Sequence, residues 1–396
     1  MQNYAEYDAT ALAELVQKKE VSAKELLAAA VARAAVTEPQ LNAIVRRLDE
    51  MGRETAARPL SGPFAGVPFL VKDIAQDIDG VPTMAGSAAL KNAVVHGDSE
   101  FVRRSRAAGL VIFGKTATPE FALKGVTEPE AFGATRNPVN PEHSPGGSSG
   151  GAGAVVAAGV VPMAGASDGG GSIRIPAAYC GLFGLRPSRG RVPCGPHFGE
   201  VWEGASSEHV LTRSVRDSAA MLDVLAGPMP GDPFQVGAAE APFAELARRT
   251  PRKLRIGFST RSPIDTDVDP EVIAAVRHTA RQLEALGHHV EEAEPKIDGV
   301  ALAKSFLTMY LGQVSANLRE CRLLGARNDD FELDTRALGL LGDALASGEY
   351  VAQRRKWNDY SRALGSYFTR FDLYLTPTTA FPAPKIGQLA TPAWQR

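Results

Sequence analysis

The chain has 396 residues, 44% hydrophobic and 22% charged, the proportions of a globular protein with ample core. A net charge of −2 speaks against a broad nucleic-acid surface, which is usually basic. The three cysteines (Cys180, Cys194 and Cys321) make neither a disulfide framework nor a zinc-ligand spacing, so a reducing cytoplasm is expected. The start lacks a basic segment followed by an apolar run, so no signal peptide is read. The Ala/Val run at 152–166 is broken by Gly159, Pro162 and Gly165 and is too short to span a bilayer.

Residues 8–36 predict two helices, the second opened by Ser22 and Glu25 at capping-box spacing. "FAGVPFLVKD" (64–73) predicts a turn and then a buried strand ending in a charge. "DSEFVRRSRAAG" reads as a helix closed by Gly109, and "LVIFG" as the strand after it. Residues 133–151 form a loop rich in Gly, Pro, Ser and Asn. A small-residue helix follows at about 151–159, then a short strand at about 160–165, then a glycine turn. "VRDSAAMLDVLAG" predicts a helix ended by Gly227, and 228–252 a surface excursion. "KLRIGFS" reads as a strand. "DPEVIAAVRHTARQLEALG" reads as a helix capped by Asp269, with Pro270 in its first turn and Gly287 past its end. "HHVEEAE" and "FDLYLTP" read as strands on either side of a mostly helical stretch, 300–370. Strands alternating with helices give an α/β layered fold.

The chemistry gathers at three positions. In "SDGGGSIRIP" (167–176), three glycines run into Ser172, which could be a nucleophile beside bare backbone N–H groups. No histidine is near to take its proton. Lys72 ends the apolar strand, and Ser148 lies in "SPGGSSGG". Each has a plain reading alone: a solvated lysine at a strand end, and a glycine-serine turn or anion cradle before a helix. Together they have a mechanism. A free lysine, with a pKa of about 10.4, is charged at neutral pH; lowering that by 2–3 units takes about 3–4 kcal/mol. Burial at the end of an apolar strand can supply this. Neutral Lys72 could then act as a base, with Ser148 relaying the proton from Ser172.

The run "GGSSGGAGAVVAAGVVPMAGASDGGGSIRIPAAYCGLFGLRPSRGRV" (146–192) resembles the central signature of the amidase signature family. The resemblance extends through "GPFAGVPFLVKD", "GKTATPEFA", "GATRNPVNPEHSPGG" and "LTRSVRD". It is clear over 8–230 and looser over 250–390. It implies one domain over 1–396 with a signature core at about 60–230, built on a central mixed β-sheet with helices on both faces. It implies a Ser–cisSer–Lys triad of Ser172, Ser148 and Lys72, with the Gly147–Ser148 peptide bond cis. The matching oxyanion-hole positions are Gly169, Gly170, Gly171 and Ser172, and Asp168 and Arg174 match the signature residues that brace the turn. The implied activity is that of an acylamide amidohydrolase, with no cofactor and no metal. The implied partner is a small-molecule amide, with neither nucleic acid nor membrane; monomer and homodimer both stay open.

Within the family, "ASDGGGSIRIPA" and "TEPEAFGATRNP" are most similar to arylamidase-like members and nylon-oligomer cyclic-dimer hydrolases. The latter carry polar or thiol contacts where Leu123 and Val314 align here, which implies a less polar pocket and a neutral apolar or aromatic amide. Phe121, Leu123 and Trp202 are the candidate substrate contacts. Family members also continue past the strand matched by "DLYLTPTTAFPAP". The expectation is therefore that the C-terminal part of the family domain is missing after 396, leaving a chain weak or inactive alone.

Three alternatives compete. "GGSSG" fits a nucleophile elbow, which would make Ser148 the nucleophile of an α/β-hydrolase served by His288 or His289. That pattern needs a strand before it, and "NPEHSP" carries two prolines. A non-catalytic or complex-dependent amidotransferase-A-like subunit is the second alternative, against which the three intact triad positions argue. Metal catalysis is the third, and the seven histidines show no HExxH-like spacing.

Overall fold

The computed structural model describes residues 3–391. The chain end "PAWQR", on which the expectation of a missing C-terminal part turns, lies outside the described residues. The single domain expected over 1–396 resolves into two compact units. One takes 3–248, 324–332 and 383–391 of the described residues, and the other 249–323 and 333–382.

The first unit opens with helices α1 (Ala9–Gln17) and α2 (Ala23–Leu41). Ser22 and Glu25 form the expected capping box, Ser22 Oγ accepting from the Glu25 N–H at 3.2 Å and Glu25 accepting from the Ser22 N–H at 2.9 Å. Strand β1 (Ile44–Arg47) and helix α3 (Asp49–Ala56) follow, then β2 (Pro68–Lys72), α4 (Glu100–Ala107) and β3 (Val111–Thr116). Next come α5 (Gly150–Ala157), β4 (Met163–Asp168), α6 (Arg174–Cys180), β5 (Phe183–Gly184), β6 (Ser207–Thr212), α7 (Val215–Leu225) and the short α8 (Phe243–Leu246). The strand expected at about 160–165 begins three residues later. The Val160 N–H still donates to Val155 O at 2.9 Å, closing α5, and Pro162 has no N–H for a ladder.

Six strands form a mixed sheet in the order β1-β3-β2-β4-β6-β5, flanked by helices. β2 runs parallel to β3 on one side and to β4 on the other; β6 runs antiparallel to β4. A central strand with parallel neighbours is covered on both faces and reads as a continuous apolar run rather than an alternation. "PFLVK" is such a run, and all five residues are buried. Because β2 and β4 are parallel, their carboxyl ends open on the same edge of the sheet. There the chain places Lys72 at the end of one strand and Ser167 and Asp168 at the end of the other.

The second unit has its own all-parallel sheet, β8-β7-β9, made of β7 (Arg255–Phe258), β8 (His289–Glu292) and β9 (Leu373–Leu375). Four helices go with it: α9 (Pro270–Ala285), α10 (Gly299–Leu323), α11 (Leu333–Asp343) and α12 (Ser347–Phe368). Asp269 caps α9 as expected, accepting from the Glu271 N–H at 2.8 Å. No described helix is long and apolar enough to cross a membrane.

Leu70 pairs with Ala164 in the middle of the first sheet and is fully buried. Leu70→Ala is expected to cost about 2–5 kcal/mol, through lost burial and the cavity left behind. A thermal melt of the variant against the parent measures this, and an unchanged melting temperature would contradict the placement of β2 at the centre.

Candidate active site

Lys72 is fully buried, and its amine meets hydroxyls. Nζ lies 2.7 Å from Ser148 Oγ and 3.1 Å from Ser167 Oγ. Burial pulls the amine down to about 7, against the opposing pull of the Asp168 and Glu208 carboxylates. Lys115 on β3 is the instructive contrast. It is buried too, but its Nζ has Asp73 Oδ1 at 3.4 Å as counter-ion and Pro82 O at 3.2 Å as acceptor. Burial lowers Lys115 as well, with the Asp73 charge opposing it at close range, whereas the Lys72 amine has only hydroxyls as hydrogen-bond partners.

Ser148 sits in a tight loop ahead of α5, and the Gly147–Ser148 peptide bond is cis, as the resemblance implies. Gly147 has no room for a side chain: a Cβ there would lie 2.6 Å from Lys124 O and 2.7 Å from the Val126 nitrogen. The Ser149 N–H donates to Ser172 O at 3.2 Å, and the Ser167 N–H donates to Ser149 Oγ at 3.3 Å. These two bonds tie the Ser148 loop to both ends of the glycine turn. The loop leading into Ser148 carries no strand, so the nucleophile elbow lacks its support. His288 and His289 belong to the second unit, where His288 Nδ1 accepts from the Leu254 N–H at 3.2 Å and His289 is exposed.

The glycine turn is organised by one carboxylate. Asp168 is fully buried and accepts from the N–H groups of Gly171 (2.7 Å), Ile173 (3.1 Å) and Arg174 (3.3 Å). The Arg174 guanidinium closes on it in bidentate fashion at 2.9 and 2.7 Å. Burial would raise the Asp168 carboxyl, but Arg174 and the backbone donors outweigh it and hold the group below the usual carboxylate range. One expectation is corrected here. The Gly171 N–H is taken up by Asp168, so it is not a bare oxyanion donor; Gly169, Gly170 and Ser172 remain candidates. Gly170 is exposed, and Gly169 and Ser172 are half-buried, so the turn opens outward on this side.

Trp202 lies against that opening. A Cβ on Gly169 would stand 2.9 Å from Trp202 Cε3, so the indole rests on the glycine backbone. Trp202 and Glu203 both have φ 54, a left-handed conformation that bulky residues seldom adopt. Leu123 is half-buried, one residue before the Lys124 carbonyl that presses on Gly147. Phe121 is buried, with φ 47, and its ring packs 6.1 Å from that of Phe331. Val314 is buried in the second unit.

A family model described as Amidase matches residues 25–395. The chain belongs to the amidase signature family. It is 40% identical over 392 residues to a 6-aminohexanoate-cyclic-dimer hydrolase of Pseudomonas sp. (strain NK87), covering 96% of this chain and 79% of the relative. It is 37% identical over 393 residues to a putative amidase, AmiC, of Mycobacterium leprae (98% and 82% covered). Among solved structures, a 6-aminohexanoate cyclic dimer hydrolase complexed with substrate superposes with a TM-score of 0.93 at 38% identity, covering 98% of this chain and 83% of that one. A bacterial aryl acylamidase of the same family superposes at 0.90 with 30% identity, covering 96% and 81%.

Three polar residues around this candidate site carry no mark in the sequence pattern: Ser167, Gln76 and Glu208. Ser167 was in view, one place before the signature aspartate, but only the pairing of β2 with β4 brings it to Lys72. Gln76 is fully buried; its Oε1 accepts from the Lys72 N–H at 2.7 Å and its Nε2 donates to Ala166 O at 3.2 Å. Glu208 comes nearest to one, as a charge inside "SEHVLT", every residue of which is buried.

The Asp168 brace carries a pH signature. Its folded-state pKa lies below the unfolded value, so its contribution to stability is present above about pH 4 and is lost as pH falls through the folded value. Asp168→Asn is expected to remove that acid-dependent part and to lower turnover at neutral pH at least tenfold, because the turn loses its charged anchor. Melting temperature measured from pH 3 to 7 in parent and variant checks the first point, and rate assays the second.

Proposed function

We propose that this protein hydrolyses the carboxylic amide bond of a small, largely apolar or aromatic amide through an acyl-serine intermediate. The observation that carries this reading is the buried amine of Lys72, 2.7 Å from Ser148 Oγ and able to be neutral near pH 7. Ser172 is the nucleophile. Its Oγ attacks the carbonyl carbon while its proton passes to Ser148 Oγ, and the Ser148 proton passes to Lys72 Nζ. The carbonyl oxygen, now an anion, is held by the N–H groups of Gly169, Gly170 and Ser172. The proton returns along the same path to the departing amine, and water repeats the sequence on the acyl-serine. Asp168 and Arg174 keep the turn in shape and take no part in proton transfer.

The apolar character of the candidate contacts supports the substrate class. Trp202 lays an aromatic face over the glycine turn, Phe121 is buried, and Leu123 precedes the Lys124 carbonyl that presses on Gly147. The hydrolysis of a cyclic dimer by relatives and of aryl acyl amides by another is compatible with this chemistry. The apolar residue at 123 favours open-chain amides, with esters of similar shape also cleaved.

Neutral Lys72 is the working base, so the rate is expected to rise as pH passes upward through about 7 and to level off above it. Lys72→Ala and Ser172→Ala are each expected to lose turnover by on the order of 10^4-fold. An active-site sulfonyl fluoride should attach to Ser172, located by mass spectrometry; a label on Ser148 would reverse the assignment. A panel of neutral aryl amides, aliphatic amides and charged amides tests the substrate class, which a preference for a dicarboxylate amide would contradict.

A further inference from the structure

β6 brings Glu208 directly opposite Ser167 on β4. Residues opposed in an antiparallel pair project their side chains from the same face of the sheet. Ser167 Oγ contacts Lys72 Nζ, so Glu208 projects from the face that holds the amine. The carboxyl is joined to that amine's strand by one bridge. Gln76 bonds the Glu208 side chain, accepts from the Lys72 N–H and donates to Ala166 O. Glu208 Oε2, by contrast, is buried with no hydrogen-bond partner among the described residues.

We propose that Glu208 is a positioning residue for the triad, a buried acid that braces the Lys72 strand end through Gln76 and whose ionisation draws the proton back onto the Lys72 amine. This deepens the amidase reading above and rests on it. A buried carboxylate with one oxygen unbonded is costly, whereas the protonated acid is far less so. Burial, with the nearby Asp77 carboxylate adding to it, pushes Glu208 up to about 8, against the pull of Gln76 and the Lys72 charge. Where the acid ionises, its charge holds the proton on Lys72 to higher pH, so the two groups compete for one proton across the range in which the rate rises.

The other charged groups around the pair are accounted for. Asp168 on β4 acts on Lys72 but is held by Arg174 of α6. Cys194, in the loop after β5, is pushed up to about 12 by burial, with the Glu208 charge adding to it. His209, the next residue on β6, bonds Ser218 on α7 at 2.9 Å and is held neutral by burial. Lys72 and Glu208 thus titrate as a pair, and the rate profile reports the pair.

The test uses the full chain and a substrate-independent readout: the rate at which a sulfonyl fluoride sulfonylates Ser172, followed by mass spectrometry from pH 5 to 10. Glu208→Gln keeps the shape and the bond to Gln76 but cannot ionise. Its rate profile is expected to rise at a pH lower than the parent's by about one unit, with the plateau reduced less than tenfold. Glu208→Asp keeps a charge but is too short for Gln76; it is expected to lose plateau rate while its profile rises no earlier than the parent's. A residue that only filled space would lower both plateaus and leave both midpoints in place. Superimposable midpoints for the parent and Glu208→Gln overturn the proposal and leave the triad standing. If Glu208→Gln does not fold, a Glu208→Asp midpoint shifted to lower pH overturns it. No labelling of Ser172 in the parent at any pH overturns the triad and this proposal together.

Discussion

Removing a lysine amine from water while giving it only hydroxyls for company is the condition on which the rest of the site depends. A hydrated or carboxylate-paired amine would stay charged and could accept nothing. The fold meets the condition by ending a doubly covered strand on Lys72 and by bringing serines from two other segments to it. The sheet order matters for this reason. Only parallel pairing of β2 with β4 delivers the lysine and the Ser167–Asp168 corner to the same edge. Lys115, one strand away, shows what the same burial gives when Asp73 is at hand.

The two buried charge environments at this edge are handled in opposite ways. Asp168 is ionised and fully satisfied, with three backbone donors and a guanidinium. Its work is geometric, and a carboxylate is suited to it because it can accept several bonds at once. Lys72 is under-satisfied as a cation, and in the proposed mechanism its work is chemical. One residue stiffens the turn and the other is left ready to change state. A site with two fully paired ions would be rigid and inert; one with two unpaired ions would not fold.

Much of this was legible in the sequence, for physical reasons that can be named. The triad lies in continuous runs whose composition is unusual, and Lys72 stands out because an apolar strand seldom ends on a buried cation. Helices α2 and α9 announced themselves through their caps, which are local. What stayed hidden depends on strand pairing. β1, β5 and β6 are short or carry polar residues in fully buried positions, so no alternation marks them. Ser167, Gln76 and Glu208 join the site only through contacts across the sheet. The Gly171 N–H looked available because a glycine run suggests bare amides, and only the folded position of Asp168 shows it to be occupied. The first boundary of the two-unit division falls in the Pro/Gly-rich excursion at 228–252, but the return of 324–332 and 383–391 to the first unit is unmarked in the sequence.

The contact between Gly169 and Trp202 has a consequence for how such a site can change over generations. The indole occupies the volume that any side chain at 169 would need. The two positions therefore cannot drift independently: a larger residue at 169 is tolerable only after the aromatic at 202 has been replaced by something smaller or turned away. Trp202 stands on the loop between β5 and β6, outside the sheet whose strand β2 ends on Lys72. Change at this pair is thereby channelled into an ordered path, with the loop altered first and the glycine, if ever, second. Lineages that keep the tryptophan are bound to keep the glycine.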